Sequence, residues 1–376
     1  MRILFIGTTA FSTYIFRADL IRALILRKHT VYAFVSEYNK VELNKIEALG
    51  AIPVTYELQR GGLNPLKDIK ATYQLARKIK QIAPDLVFSY FSKPIIFGTF
   101  AAKIVGVHKI IGMLEGLGYA FTDQPEGLSK KIKLIKSVQI KLYKLALPQL
   151  YKLIFLNNDD IKDLLEEYNI RVNNVEVLGG IGLNLQKYTY QPISNVELPI
   201  NFIFVGRLLK EKGIHDFISA AQIVKDEYPE TQFTVLGAID SSNLGALRRA
   251  DLDKLISLQI VNYPGQVDNV QDWLVQSDVF VLPSYREGLP LSTQEAMAIG
   301  RAVITTDVPG CRETVIDGVN GFLVEKCNSQ VLAEKMIYFI ENPEQVAIMG
   351  YESYKIAQEK FDVDKVNERL LDILGL

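Results

Sequence analysis

The chain has 376 residues, 48% apolar and 23% charged, with a formal net charge of −1. That length suggests two domains, and the apolar fraction is enough to build two cores. The near-zero charge excludes a bulk attraction to nucleic acid, and two cysteines without CxxC spacing, Cys311 and Cys327, give no zinc pattern and read as free thiols.

The chain opens on a short apolar run that ends at Gly7, with Thr8 and Thr9 behind it. The run is too short for a signal peptide and reads as a buried first strand over 3–6. A helix over 14–27 and a strand over 31–35 follow. Further strands are expected at 86–89, 109–112 and 153–156, with helices over 67–81 and 95–105. Strand-helix alternation of this kind argues for a parallel sheet covered on both faces. The alternation pauses at Gly179, Gly180 and Gly182, and an aperiodic stretch runs through Tyr190 and Pro192 to Pro199. It reads as an interdomain linker. Alternation then restarts, with strands over 202–205, 233–236, 279–282 and 302–305 and helices over 213–227 and 291–299. The expected architecture is two doubly wound α/β domains, 1–182 and 183–356, with a last helix at about 357–376 packing back on the first. Ligands of such sheets bind at the carboxyl ends of strands, so a cleft between the domains is the expected site. No window reaches the roughly 18 apolar residues of a membrane span, so a cytoplasmic protein with peripheral membrane contact is expected.

The strand over 279–282 leads into a loop carrying Glu287 and then a helix that starts near Leu291 or Ser292, with Glu295 one turn inside. Strand, loop and helix N-terminus together make an anion site, because free backbone N–H groups and the helix dipole favour a diphosphate. One carboxylate suits the sugar of a nucleotide sugar and the other its ribose hydroxyls. Taken alone, the two glutamates read as a turn residue and an exposed helix charge; the surrounding motifs favour the functional reading. At the end of the strand over 202–205, Gly206 permits a tight turn and a close backbone or ligand approach. Arg207 and Lys212 add two cations at the same rim, suited to a diphosphate leaving group.

These motifs resemble those of glycosyltransferase family 4. The matching features are Gly206-Arg207 with Lys212-Gly213, the run Asp278–Ser284, the Glu287/Glu295 pair, Asp317-Gly318 with Asn320-Gly321, and Gly182-Leu183-Asn184. The resemblance implies a GT-B fold, two Rossmann-like domains facing across a cleft, with the nucleotide sugar held mainly by the second. It also implies retention of anomeric configuration and no metal or other cofactor. By position it puts Glu287 on the donor sugar, Glu295 on the ribose, Arg207 and Lys212 on the diphosphate with the backbone of Leu291 and Ser292, and Val267 near the base.

In the first half, Gly7 and Thr8 follow the first strand without a GxGxxG pattern, which disfavours a dinucleotide site. The family has small residues here, near the donor phosphate. It also has a histidine near the donor sugar, and none of His29, His108 and His215 stands at that loop. Instead Glu115-Gly116-Leu117-Gly118 resembles a bacterial branch that extends polyprenyl-diphosphate-linked sugars, including N-acetylgalactosaminyltransferases. Glu115 is then expected to accept a hydrogen bond from an acceptor or donor hydroxyl, against the plain reading of a turn glutamate. Ser92 and Lys93 are candidates for an acceptor phosphate.

Residues 128–158 contain no acid before Asn158 and carry Lys130, Lys131, Lys133, Lys136, Lys141, Lys144 and Lys152 between apolar residues at helical spacing. Such a helix either turns a solvated lysine face outward or docks on anionic headgroups. A polyprenyl-linked acceptor favours docking, through Lys130, Lys133, Lys136, Lys141 and Lys144, at the inner face of the cell membrane. No aromatic stacking pattern points to nucleic acid. The leading expectation is transfer of an N-acetylhexosamine such as GalNAc from a UDP-sugar to a lipid-diphosphate-linked saccharide in bacterial glycan assembly. A GT-B sugar-nucleotide epimerase and a non-catalytic nucleotide-sugar-binding protein are the alternatives.

Overall fold

Short runs of fully buried apolar residues form the middle of two all-parallel sheets. The computed structural model describes residues 1–58, 64–124, 126–193, 198–240 and 245–376, so residues 194–197 of the expected linker lie outside the described residues. The chain divides into two units. The first comprises Met1–Phe121, Leu128–Ile181 and Asp364–Leu376, and the second Thr122–Gly127 and Gly182–Val363.

The first unit runs β1 (Arg2–Ile6), α1 (Ala10–Leu26), β2 (Thr30–Val35), α2 (Lys40–Ala48), β3 (Ile52–Thr55), α3 (Pro65–Ile82), β4 (Leu86–Tyr90), α4 (Ser92–Ile104), β5 (Ile110–Leu114), α5 (Lys130–Ala146), β6 (Lys152–Phe155), α6 (Asn158–Ile161) and β7 (Val175–Val177). Its sheet has the order β3-β2-β1-β4-β5-β6-β7, all parallel. Ile3, Leu4, Phe5 and Ile6 of β1 are all buried, as a strand covered by helices on both faces requires. Helix α1 starts at Ala10, four residues before the expected 14, because the Thr9 hydroxyl accepts from the Ser12 N–H and caps it there. Helices α3, α4 and α5 share one core, with α4 packed between the other two.

The second unit runs β8 (Asn201–Val205), α7 (Ile214–Glu227), β9 (Gln232–Leu236), α8 (Arg249–Ser257), β10 (Asn262–Gly265), α9 (Val270–Val275), β11 (Val279–Leu282), α10 (Leu291–Ile299), β12 (Ala302–Thr306), β13 (Gly321–Val324), α11 (Ser329–Glu341) and α12 (Glu344–Lys360). The sheet order is β10-β9-β8-β11-β12-β13. A last helix, α13 (Val363–Leu374), belongs to the first unit from Asp364 onward. Arg27 pairs with Glu368 at 2.6 Å there, and Lys152 donates to the Ile373 carbonyl at 3.0 Å.

Arg301, only 2% exposed, ties several pieces of the second unit together. Its guanidinium donates to the carbonyls of Leu274 (2.8 Å), Gln191 (2.9 Å) and Val275 (3.0 Å). It thereby fastens the segment after the boundary to the end of α9. Arg301→Met keeps much of the bulk and takes the guanidinium donors from the Gln191 and Val275 carbonyls, while the Leu274 carbonyl keeps the Ser277 hydroxyl. The expected loss is about 3 kcal/mol in urea unfolding, at an unchanged slope. An unchanged midpoint would show that the carbonyls find other donors.

Candidate functional site

In the second unit, β8 and β11 lie side by side, and the chain leaves them toward opposite edges of the sheet. Such a switch point opens a crevice at the carboxyl ends of the strands. The loop after β8 carries Gly206, the exposed Arg207, and a single 3₁₀ turn, Lys210–Lys212. The loop after β11 carries Ser284 and Glu287 and ends at Pro290, the N-cap of α10. Proline supplies no side-chain acceptor, so the first N–H groups of α10, at Leu291 and Ser292, have no cap and no intrahelical partner. Both residues are half-buried at that mouth.

The two loops are clamped together. The Tyr285 N–H donates to the Glu211 carbonyl at 2.9 Å. Gly213, at φ 74°, lies so close to the Pro283 carbonyl that a Cβ there would overlap it. Lys212 Nζ donates to Glu287 Oε1 at 2.5 Å, and Ser284 Oγ donates to the same oxygen at 2.8 Å. Glu287 is thus held from two sides, with its Oε2 outside both bonds. Gly206 has no positive φ, and a Cβ there would meet only ordinary contacts at 3.5 Å; the close backbone approach at this turn is that of the Gly206 carbonyl to Gly237.

Glu295 sits one turn into α10. The Tyr188 hydroxyl donates to its Oε1 at 2.6 Å. Burial pushes the Glu295 carboxyl up to about 7, against the opposing pull of Tyr188 and Lys187. Tyr188 lies in the aperiodic stretch, where periodicity gives no signal, and was not among the expected site residues. Val267 follows β10, the outermost strand, and its side chain packs half-buried on the core.

The first unit has its own cluster at the carboxyl edge. Gly7 and Thr8 follow β1. The Gly7 carbonyl accepts from the Tyr56 hydroxyl at 2.6 Å, and a Cβ at Gly7 would overlap the Tyr90 phenol. Thr8 is buried, and its carbonyl accepts from the Ser36 N–H at 2.7 Å. Glu115 follows β5. Where the sequence suggested a carboxylate open to a hydroxyl, the structure gives it a buried partner, Arg17 of α1; the side chains are 8% and 2% exposed. The Arg17 guanidinium also stacks over the Tyr90 ring at 4.5 Å, and the Tyr90 and Thr13 hydroxyls are 2.8 Å apart. Burial raises the Glu115 pKa, and the Arg17 charge pulls it back. The signal for Arg17 was a cation inside an apolar helical run. Ser92 is the first residue of α4, and Lys93 lies 3.4 Å from the Asp68 carboxylate.

On α5, Lys130, Lys133, Lys141 and Lys144 are exposed, whereas Lys136 is not part of that face. It lies one turn from the core-facing Ile132, with its ammonium 4.8 Å from the Phe121 ring and 5.7 Å from Tyr168. Between the exposed lysines, Leu134 and Leu145 remain more than half exposed. No helix among the described residues is long and apolar enough to cross a membrane.

Residues 189–356 match the family model described as "Glycosyl transferases group 1", and residues 2–158 the one described as "Glycosyl transferase 4-like". The N,N'-diacetylbacillosaminyl-diphospho-undecaprenol alpha-1,3-N-acetylgalactosaminyltransferase of Campylobacter jejuni is 30% identical over 353 residues, 91% of this chain and 90% of that protein. The UDP-Gal:alpha-D-GlcNAc-diphosphoundecaprenol alpha-1,3-galactosyltransferase of Escherichia coli is 28% identical over 69% of this chain and 67% of its own length. Among solved structures, Anabaena Alr3699/HepE in complex with UDP and glucose superimposes with a TM-score of 0.77 at 19% identity, covering 100% of this chain and 99% of that one. At that identity the likeness shows the fold, GT-B.

Two outcomes are expected from these pairs. If Glu295 accepts ribose hydroxyls, it must do so ionised, and a carboxyl raised to about 7 is largely protonated at pH 6. Nucleotide-sugar affinity by calorimetry should therefore rise about tenfold from pH 6 to 8. Glu295→Gln should flatten the profile, and Tyr188→Phe, which removes a donor to the ionised form, should move its midpoint up. A flat wild-type profile contradicts the assignment. For the Arg17–Glu115 pair, Arg17→Gln should cost about 3 kcal/mol in urea unfolding, and the double variant with Glu115→Gln less than the sum of the two singles. Additive losses would mean that the pair is not coupled.

Proposed function

The chain belongs to glycosyltransferase family 4, and from that membership we propose that it transfers an N-acetylhexosamine, GalNAc first among them, from a UDP-sugar to a saccharide on polyprenyl diphosphate. The observation that carries this reading is the cluster at the β8/β11 edge: Arg207, the clamped Lys212–Glu287 pair and the uncapped start of α10. In this reading the donor diphosphate lies on the N–H groups of Leu291 and Ser292, flanked by Arg207 and Lys212. Lys212 has two further N–H donors beyond the one given to Glu287. Glu287 Oε2 accepts from a hydroxyl of the donor sugar, and Glu295 takes the ribose. Val267 lies against the base. Glu115, oriented by Arg17, accepts from a hydroxyl of the acceptor or the donor sugar.

The bond between the sugar's anomeric carbon and the β-phosphate oxygen breaks, and its electron pair goes to the diphosphate. Fixed cations and N–H dipoles stabilise that charge as it forms. The acceptor hydroxyl attacks from the face the diphosphate leaves, and its proton passes to a departing phosphate oxygen. UDP is released, and the configuration is retained. Because protein groups supply the positive charge, the reaction is proposed to need no metal. The membrane partner is an anionic surface met by Lys130, Lys133, Lys141 and Lys144 of α5, at the inner face of the cell membrane.

Incubation with a panel of nucleotide sugars and short-chain polyprenyl-diphosphate sugars, read by mass, should yield one added N-acetylhexosamine with UDP-GalNAc and the same product with excess EDTA. Arg207→Ala and Lys212→Ala should each lower kcat by about 10²–10³-fold. Unchanged turnover would remove their assigned role, and activity lost to EDTA and restored by a divalent ion would overturn the metal-free reading.

A further inference from the structure

Helix α3 has an outer face that neither the core nor the clusters above use. Ala71, Leu75, Ala76 and Ile79 bury one side of it. On the opposite side lie Leu66, Ile69, Lys70, Tyr73, Arg77 and Lys80, spaced so that all six fall on one stripe of a helix. Leu66, Ile69 and Tyr73 are 82%, 66% and 56% exposed. Single exposed apolar side chains are ordinary, but three large ones in line on one helix are not. The only acid in α3, Asp68, is buried and faces Lys93, so every charge on the outer stripe is positive.

Because α3 and α5 bury their inner sides in the same core, with α4 between them, their outer faces point away from the same sheet surface. On α5 the corresponding outer residues are Leu134 and Leu145 with Lys130, Lys133, Lys141 and Lys144. Each helix pairs exposed apolar side chains with lysine or arginine and lacks exposed acid. In a parallel α/β sheet the helices begin at the carboxyl ends of the strands. Leu66, Ile69 and Tyr73 therefore lie toward the end of the layer that carries Gly7, Thr8 and Glu115.

We propose that the outer face of α3 is a second lipid-docking element, which together with α5 seats the first unit on an anionic bilayer. The apolar residues enter the headgroup boundary, and Lys70, Arg77 and Lys80 meet anionic headgroups. A site that receives a lipid-linked acceptor is then presented at the bilayer from the carboxyl edge of the sheet. The inference rests on the lipid-linked acceptor proposed above but engages a different helix from the lysines already assigned.

The test is cosedimentation of the full chain with vesicles of phosphatidylcholine containing phosphatidylglycerol, against phosphatidylcholine alone. Turnover on a short-chain, water-soluble acceptor is measured in parallel. The combined variant Leu66→Ser/Ile69→Ser/Tyr73→Ser changes only exposed side chains. It should lose about tenfold or more in vesicle affinity with short-chain turnover unchanged. Lys70→Glu/Arg77→Glu/Lys80→Glu should do the same, more steeply at low salt. Vesicle binding equal to wild type in both variants, with loss only on Lys130→Glu/Lys133→Glu/Lys141→Glu, overturns the α3 proposal and leaves the α5 reading standing. A wild-type chain that ignores vesicles overturns both. A wild-type chain that ignores vesicles but dimerises, with the dimer abolished by the serine variant, assigns the face to a second copy instead. Lost turnover on panel donors would instead count against the transferase reading.

Discussion

A lysine and a glutamate 2.5 Å apart join two loops that arise from different strands, the one after β8 and the one after β11. Neither side chain is fully out of solvent, so the pair alone contributes modestly to stability. Its importance is geometric. With Gly213 against the Pro283 carbonyl and Tyr285 bound to Glu211, it fixes Lys212 and Glu287 relative to one another at the mouth where α10 begins. Preorganised charge of this kind stabilises a transition state without reorganising during the reaction. The same bond sets each charge against its opposite. Lys212 can therefore face a diphosphate without being an isolated cation, and Glu287 can face a sugar without repelling the phosphates.

The first unit solves a related problem differently. Glu115 is a buried carboxylate, and it is kept in place by an equally buried guanidinium that rests on Tyr90. A buried pair is costly to assemble and costlier to break on one side. Here it also ties α1, the helix behind Gly7 and Thr8, to the loop after β5. The chemistry proposed for Glu115 depends on this link, because without Arg17 burial favours the neutral acid.

How much of this was legible in the sequence follows from where each residue sits. The central strands β1, β4, β8 and β11 are buried on both faces and appear as apolar runs, broken only by Ser89 in β4. The strands that the sequence did not announce are β3, β7, β10 and β13, and all four are the outermost strands of their sheets. Edge strands are short and partly exposed, and they admit proline, as Pro53 in β3 and Pro264 in β10 show. The second unit's cluster was legible because Arg207, Lys212, Glu287 and Glu295 stand at fixed spacings behind such runs. Tyr188 and Arg17 were not. Tyr188 reaches Glu295 from an aperiodic segment 107 residues away, and Arg17 reaches Glu115 across 98. Partners fixed only by tertiary folding leave no local spacing to read.

The clamped β8/β11 edge is proposed to be a diphosphate site rather than a general nucleotide pocket. Calorimetric binding of UDP and UMP to the wild-type chain and to Lys212→Ala tests it most directly. The wild type should prefer UDP, and Lys212→Ala should lose most of that preference while keeping its UMP affinity. Equal affinity for UDP and UMP in the wild type, or a preference untouched by the substitution, would contradict it.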